Sequence, residues 1–419
     1  MSTITTASKV QQFIANLPKT NLPLAASALA TAEQTLATLD FPTTRIEDWK
    51  YTRVTKISGK TFQVAPGNIT TLPALPVANA INIVFVNGVY SAALSTTELP
   101  AGLTITIGSA IANENFGAIA SVERSVFSAI NAVYATDAVH IDIAKNAVIE
   151  PSIQIVHIQQ GELTISNTRV LITANVFSKA HVVEAFLSVD AKDSFTNVIT
   201  EVVVADNAYL HIDKIQNEEE ETFALHQDHV KQAKDSNFTI NTITLNGGWV
   251  RNNLNIDVEG QNCETHLNGS FVLKGTQHVD NHTCVDHKVA NCESNELYKG
   301  VMDDQSTAVF NGKVFVRKDA QKINAYQSNG NVLLSDNATV NTKPELEIYA
   351  DDVKCSHGTT TGQLDDEAIY YLRARGISER SAKALMVTAF IGDVIEKIEN
   401  EEVLEYVHTS LHNRFGWNF

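Results

Sequence analysis

The chain has 419 residues, 44% of them hydrophobic and only 19% charged, the make-up of a folded protein with room for about two to three domains. Acidic residues outnumber basic ones 48 to 31, and the resulting charge of −17 repels nucleic-acid phosphates and anionic lipid, so no nucleic-acid or membrane partner is expected. Four cysteines with no CxxC pair exclude a disulfide scaffold, and no apolar run approaches the roughly 18 residues of a membrane-spanning helix.

The first residues, MSTITTASKVQQFIANLP, read as an ordinary N-terminal helix rather than a secretion or transit signal. Apolar residues from Val10 and Phe13 through Leu29 and Leu36 keep helical spacing from Ser8 to about Asp40. INIVFVNGVY (81–90) then reads as strand, turn and strand, LTITI (103–107) as another strand, and Val122 to Val133 as a helix. Residues 1–136 thus form a mixed helical and strand domain.

From Asp137 to about Gly358 the texture is one of short alternating strands, with an abundance of Asn, Thr, Ala and Val and only 9 prolines in the whole chain. A loose repeat runs through it: aligning Ala180, Ala208, Asn237 and Cys263 gives steps of 28, 29 and 26 residues, each unit opening on an Asx or Ser turn. Such a period predicts stacked rungs, and a parallel β-helix fits better than helical repeats; a β-sandwich is the alternative. Cys263 and Cys292, each in an NCE triplet, are expected at equivalent inward positions of stacked rungs.

Residues 359–419 turn helical. Asp365 and Ser378 are expected N-caps, Gly376 a helix stop, and a third helix starts near Glu401. With Tyr370, Tyr371 and the tail FGWNF, these helices make a candidate docking module. RARGISERSAKALM imitates a helix-turn-helix, but the acidic surroundings argue against DNA.

No GxxxxGK[ST], strand-linked GxGxxG, GxSxG or HExxH occurs, so nucleotide and hydrolase chemistry are not expected. In QHVDNHTCVDH, the positions of His278, His282 and Cys284 share one strand face and are candidate metal ligands. In KCSHGTTTG, Cys355 and His357 also share one side of an extended chain; Lys354 is expected to favour thiolate, and the flanking glycines to keep the pair accessible.

DDVKCSHGTTTGQLDDEAIYYLRARGI (351–377) resembles the C-terminal signature of the SufB/SufD family of SUF iron–sulfur cluster assembly subunits, as found in its SufD members. The stretch from Leu297 to Lys354 is similar to the core that both subunits share, and TRIEDWKYT (44–52) to a SufD N-terminal motif. The resemblance implies a right-handed parallel β-helix flanked by an α/β N-terminal region and a C-terminal helical module. It implies a non-catalytic, cytoplasmic scaffold that contributes to iron acquisition and cluster formation. SufC, the ATPase, would dock on the C-terminal helices, with Asp366, Tyr370, Tyr371, Arg373, Arg375 and Phe390 as candidate contacts. SufB would pair with the end of the β-helix, and His357, with Cys355 beside it, would face that interface, where iron or a nascent cluster is held transiently. No tightly bound cofactor is expected, and no flavin motif is visible. A SufB-like or homodimeric scaffold stays open, as does, more remotely, a β-helix enzyme acting on polysaccharide.

Overall fold

The computed structural model describes residues 8–416. It is mainly β: a parallel β-helix whose strands alternate between a ten-stranded and a nine-stranded sheet from Asp137–Ile143 through to Val353–Gly362. Consecutive strands of each sheet pair in parallel, so each side chain stacks on its counterpart one rung earlier. The sheets begin before Asp137. Ile81–Val86 pairs in parallel with the strand Ile153–Glu162, and Leu103–Ile107 pairs antiparallel with Asp137–Ile143, so the N-terminal region supplies the first strand of the solenoid and closes that end.

The repeat is real, with a corrected register. Lys179 pairs with Tyr209, Tyr209 with Asn237, and Asn237 with Glu264. Ala180 therefore faces Leu210 rather than Ala208, because the turns vary in length and the pairing itself shifts register at Gln160/Gly161 and Thr244/Asn246. The turns on one side each place a residue at positive φ: Phe177, Asn207, Asp235, Asn262 and Asn291. Asn and Asp tolerate that conformation by bonding locally. The turns also bond to one another; Asn207 N donates to Lys234 O at 2.9 Å and Asp235 N to Gln261 O at 2.9 Å. Cys263 and Cys292 sit just inside these turns, both buried in the core.

The lumen is filled by side chains at every second position. Size is complementary between rungs. Gly269 lies opposite Tyr298 and Phe271 opposite Gly300, so each ring occupies the space its neighbour leaves. A Cβ at Gly300 would come within 2.0 Å of the Phe271 ring. The lumen also holds charge: Lys214 Nζ lies 2.5 Å from Asp228 and 3.0 Å from Glu184, all three buried.

Each sheet has an outer face covered by a different part of the chain. The expected N-terminal helix is divided into α1 (Lys9–Ile14) and α2 (Ala26–Thr38), because Pro18 and Pro23 in between cannot donate ladder hydrogen bonds. These two, with α3 (Thr55–Ser58) and α4 (Val126–Tyr134), cover the nine-stranded sheet over Ile165, Phe195, Phe223 and Trp249. At the other terminus α5 (Asp366–Ala374), α6 (Glu379–Ile395) and α7 (Glu401–Phe415) follow, capped by Asp365, Ser378 and Asn400. Val387, Ile391, Val403 and Val407 of α6 and α7 cover the ten-stranded sheet over Val183, Ile215, Ile243 and Val272. The last three residues of the aromatic tail, 417–419, lie outside the described residues. No helix among the described residues is long and apolar enough to cross a membrane.

Gly300→Ala drives a methyl group into Phe271, and overpacking of this kind destabilises by about 1–3 kcal/mol. Urea unfolding should show a lower midpoint with an unchanged slope; an unchanged midpoint would show that the stacked rings have room to spare.

Candidate functional site

The solenoid has one closed end and one open end. The strands Thr339–Ile348 and Val353–Gly362 are the last of their sheets, each paired on one side only, and their side chains are exposed or half-buried throughout. Cys355 and His357 stand on this terminal rung. The segment is a strand rather than a glycine-loosened loop, and the glycines at 358 and 362 continue its pairing with Val353–Gly362's neighbour, Ile323–Leu333.

Register explains what the two residues face. Cys355 pairs with Ala325 and His357 with Gln327, both residues that point into the lumen. Cys355 is half-buried against the core, and burial pushes its thiol pKa up. The thiolate expected from Lys354 is therefore not favoured: the two-residue period sends Lys354 to the opposite face, away from the sulfur. His357 is exposed at the mouth.

Behind His357 lie residues that no local sequence motif marks. Gln327 pairs with Glu296, and Glu296 with Leu267, so this lumen column changes from apolar to polar over the last three rungs. The next columns are also polar on the last two rungs, through Asn329 and Thr359 and through Asn331 and Thr361, although each carries polar residues deeper in, Lys214 and Glu184 in one and Gln216 and His157 in the other. Gln327 Nε2 donates to Glu296 Oε2 at 2.8 Å, and Thr283 Oγ1 donates to Oε1 at 2.5 Å across the lumen. Burial pushes the Glu296 pKa up to about 7. The signal was present in the rung spacing: counting back from His357 by the 30 or so residues of one rung reaches Gln327 and then Glu296.

His278, His282 and Cys284 do not come together as a donor set. Their face of the strand His278–His287 serves as the dock for the N-terminal motif instead. Thr52 Oγ1 donates to Asp280 at 2.5 Å and lies 2.9 Å from His278 Nε2. Asp280 also pairs with Arg251 at 2.5 Å and His282 at 2.9 Å, and Arg251 lies under the Trp49 ring, 3.9 Å from its centroid. Burial pushes the Cys284 thiol up to about 11, the wrong direction for a thiolate ligand. His287 points into the lumen and bonds Ser294 at 2.9 Å.

Of the docking candidates, Asp366, Tyr370, Tyr371 and Arg373 are exposed on α5 and Arg375 at its C-cap, with Tyr370 75% and Tyr371 56% accessible. The Arg375 guanidinium lies 3.8 Å from the centre of the Tyr371 ring. Phe390 faces the other way. It packs with the sheet, with Lys299 Nζ 4.7 Å from its ring centre, and so belongs to the joint between α6 and the solenoid.

Glu296 gives this end a pH signature. Because its folded pKa of about 7 lies above the ordinary 4.5, folding is opposed where the unfolded chain ionises it readily, above pH 7, and the penalty fades as pH falls to 4.5. Wild type should therefore gain stability over Glu296→Gln between pH 7.5 and 5.5, by about 1–2 kcal/mol in urea unfolding. A difference independent of pH would mean that Glu296 is ionised in the fold.

Comparison with known proteins places these features. Residues 156–390 match the model described as "SUF system FeS cluster assembly, SufBD core domain", and residues 11–155 the SufBD protein N-terminal region. The chain is 29% identical over 388 residues to the iron–sulfur cluster assembly protein SufD of Escherichia coli, covering 91% of each protein. It is 29% identical over 390 residues to a SufBD family protein of Synechocystis, covering 88% of this chain and 86% of that one. It is also 28% identical to the chloroplastic protein ABCI7 of Arabidopsis thaliana, over 95% of this chain and 87% of that protein. The chain belongs to the SufB/SufD family of iron–sulfur cluster assembly proteins, and within it is of the SufD type.

Proposed function

We propose that this chain is a non-catalytic, cytoplasmic scaffold subunit of the SUF machinery, whose open solenoid end pairs with a SufB-type β-helix and presents His357 to iron or a nascent cluster. The observation that carries this reading is the terminal rung, where two unpaired strand edges frame a polar lumen ending in His357. An exposed parallel edge is a ready template for another chain's backbone. A partner seated there would exclude water from the mouth, which a labile cluster needs, and a neutral imidazole can ligate iron. Cys355, half-buried behind His357 with its thiol protonated, is a secondary group in this reading.

The C-terminal module fits the role of an ATPase dock. Its inner face is occupied by the sheet, while α5 presents Tyr370, Tyr371 and the charges around them to solvent. Aromatic side chains beside arginine are the residues that most often dominate protein interfaces. A SufC dimer pulling on α5 would act through α6 and α7 on the ten-stranded sheet, whose last strand carries His357.

His357→Ala, in the complete complex, should lower cluster assembly in cells by about tenfold or more, the scale on which one lost metal-orienting contact acts. Its unfolding midpoint should stay unchanged because the side chain is exposed. Normal cluster assembly would sink the site assignment.

Deleting the helices would uncover the apolar sheet face, so a truncation confounds folding with docking. The double substitution Tyr370→Ala and Tyr371→Ala avoids this. Loss of two central aromatics typically weakens an interface by about 30-fold, and SufC should no longer co-purify while thermal stability is retained. Undiminished co-purification would place the ATPase elsewhere.

A further inference from the structure

A second group of metal-type donors lies away from the open end, on the outer face of the ten-stranded sheet. His181 and His211 are partners in adjacent rungs, and Asp213 follows two residues on, so register and the strand period bring the three to one side. They form the one His, Cys, Asp and Glu group among the described residues close enough to hold an ion, with donor atoms within 4.8 Å of one another.

Asp213 offers both oxygens: Oδ2 is 2.9 Å from His181 Nε2, and Oδ1 is 3.2 Å from His211 Nε2. Both rings thus turn Nε2 inward, and each Nδ1 meets an outer partner. Ser152 Oγ is 2.8 Å from His181 Nδ1, and Glu399 Oε2 is 3.8 Å from His211 Nδ1. In metal-bound imidazoles the nitrogen that does not ligate donates its proton to a hydroxyl or carboxylate; Ser152 is within that reach of His181, while the Glu399 carboxylate lies beyond it and must close on His211 to accept.

The Asn241 amide, with two hydrogens, lies 2.9 Å from His211 Nε2, 2.7 Å from Asp213 Oδ1 and 3.2 Å from Lys397 O. His211 and Asp213 are both buried, and where they face each other either the proton of His211 Nε2 or a metal ion fills the space between nitrogen and carboxylate. His181, with 21% of its side chain exposed, leaves an entry path.

The site also touches a second element. Lys397, Glu399 and Asn400 all lie in the connection between α6 and α7; Asn400 Nδ2 donates to Ser152 Oγ at 3.2 Å, and Tyr209 OH to Glu399 at 3.4 Å. We propose that His181, His211 and Asp213 bind a divalent first-row transition ion, with Glu399 accepting from His211 Nδ1 so that the bound ion latches the C-terminal module onto the solenoid. Two imidazoles and one carboxylate suit Fe(II), Co(II) or Zn(II) and disfavour Mg(II) and Ca(II). The latch does not rest on the cluster-assembly reading and is tested without partners or clusters.

The untagged full-length chain, stripped with chelator, is titrated with Co(II), whose visible bands report a nitrogen and oxygen site. Zn(II) and, without oxygen, Fe(II) are then added in competition. One equivalent is expected, insensitive to Mg(II) and Ca(II). His181→Ala should abolish binding, Glu399→Gln should weaken it by about tenfold to a hundredfold, and His282→Ala should leave it unchanged. Hydrogen exchange across residues 396–407 should slow on metal addition in wild type and not in Glu399→Gln. Absence of stoichiometric binding would show that a proton alone fills the site and overturn the proposal, as would full binding by folded His181→Ala. Glu399 is an exposed side chain, so its variant keeps the test decisive if His181→Ala does not fold; an affinity and exchange pattern equal to wild type would remove the latch.

Discussion

A parallel β-helix is held by backbone hydrogen bonds between successive rungs, and that ladder contains no device for ending itself. In this chain the two ends are treated differently. At the first, Leu103–Ile107 runs antiparallel to its neighbour and Val89–Tyr90 turns back on Ile81–Val86, so the edges are occupied by chain of opposite direction. At the last, Thr339–Ile348 and Val353–Gly362 stop with their outer edges unpaired. The same asymmetry appears inside. One lumen column is apolar from Ile81 to Leu267, and over the final rungs it turns polar through Glu296, Gln327 and His357. A polar lumen does not stabilise an isolated end, since each such group needs a partner or water. The composition of this end is suited to being covered by another polar surface.

The outer faces are divided with equal economy. The N-terminal helices cover the nine-stranded sheet with aromatic and aliphatic residues, and the motif at residues 44–52 is tied down by polar contacts, with Thr52 and Arg251 meeting at the buried Asp280. A pairing of this kind is specific in direction: removing one partner strands a buried charge, which costs several kcal/mol, although the intact pair contributes little net stability. The C-terminal helices cover the other sheet, again by an apolar face, with polar ties at Lys299, Arg414 and the 396–400 connection. The two modules therefore bear mainly on opposite sheets, and they also meet directly, where Ala78 N donates to Glu402 Oε2 at 2.7 Å and Val77 and Ala80 pack with α6 and α7.

Much of this was legible in the sequence because strands and turns announce themselves locally. The Asx turns were readable as turns, and in the structure Asn207, Asp235, Asn262 and Asn291 adopt positive φ in them; Asp365 and Ser378 were readable as caps. Phe177, which occupies the same turn position without the side chain for it, was not readable. Register was only approximately readable, since it depends on turn lengths that vary and on local shifts in the strand pairing. The face of each candidate residue was harder still. Phe390 looks like a docking aromatic in a list of residues, but the α6 surface it stands on is turned to the sheet. The donor group at His181, His211 and Asp213 comes from separate rungs, and its outer partner Glu399 lies 188 residues beyond His211 (399−211), so no local pattern contains it.

Cys355 and His357 show how finely position within one strand can divide chemical roles. They are two residues apart and share a face, so backbone geometry alone does not separate them. Burial does. The sulfur sits where the core still covers it, and desolvation holds the thiol protonated, which makes it a weak nucleophile and a weak ligand. The imidazole, on the same rung, stands in water, where it is accessible as a ligand. If a partner covers the mouth, the environment of Cys355 changes little, whereas His357 passes from water into an interface with Gln327 and Glu296 behind it. The side chain with the more surface left to bury at this mouth is therefore the histidine.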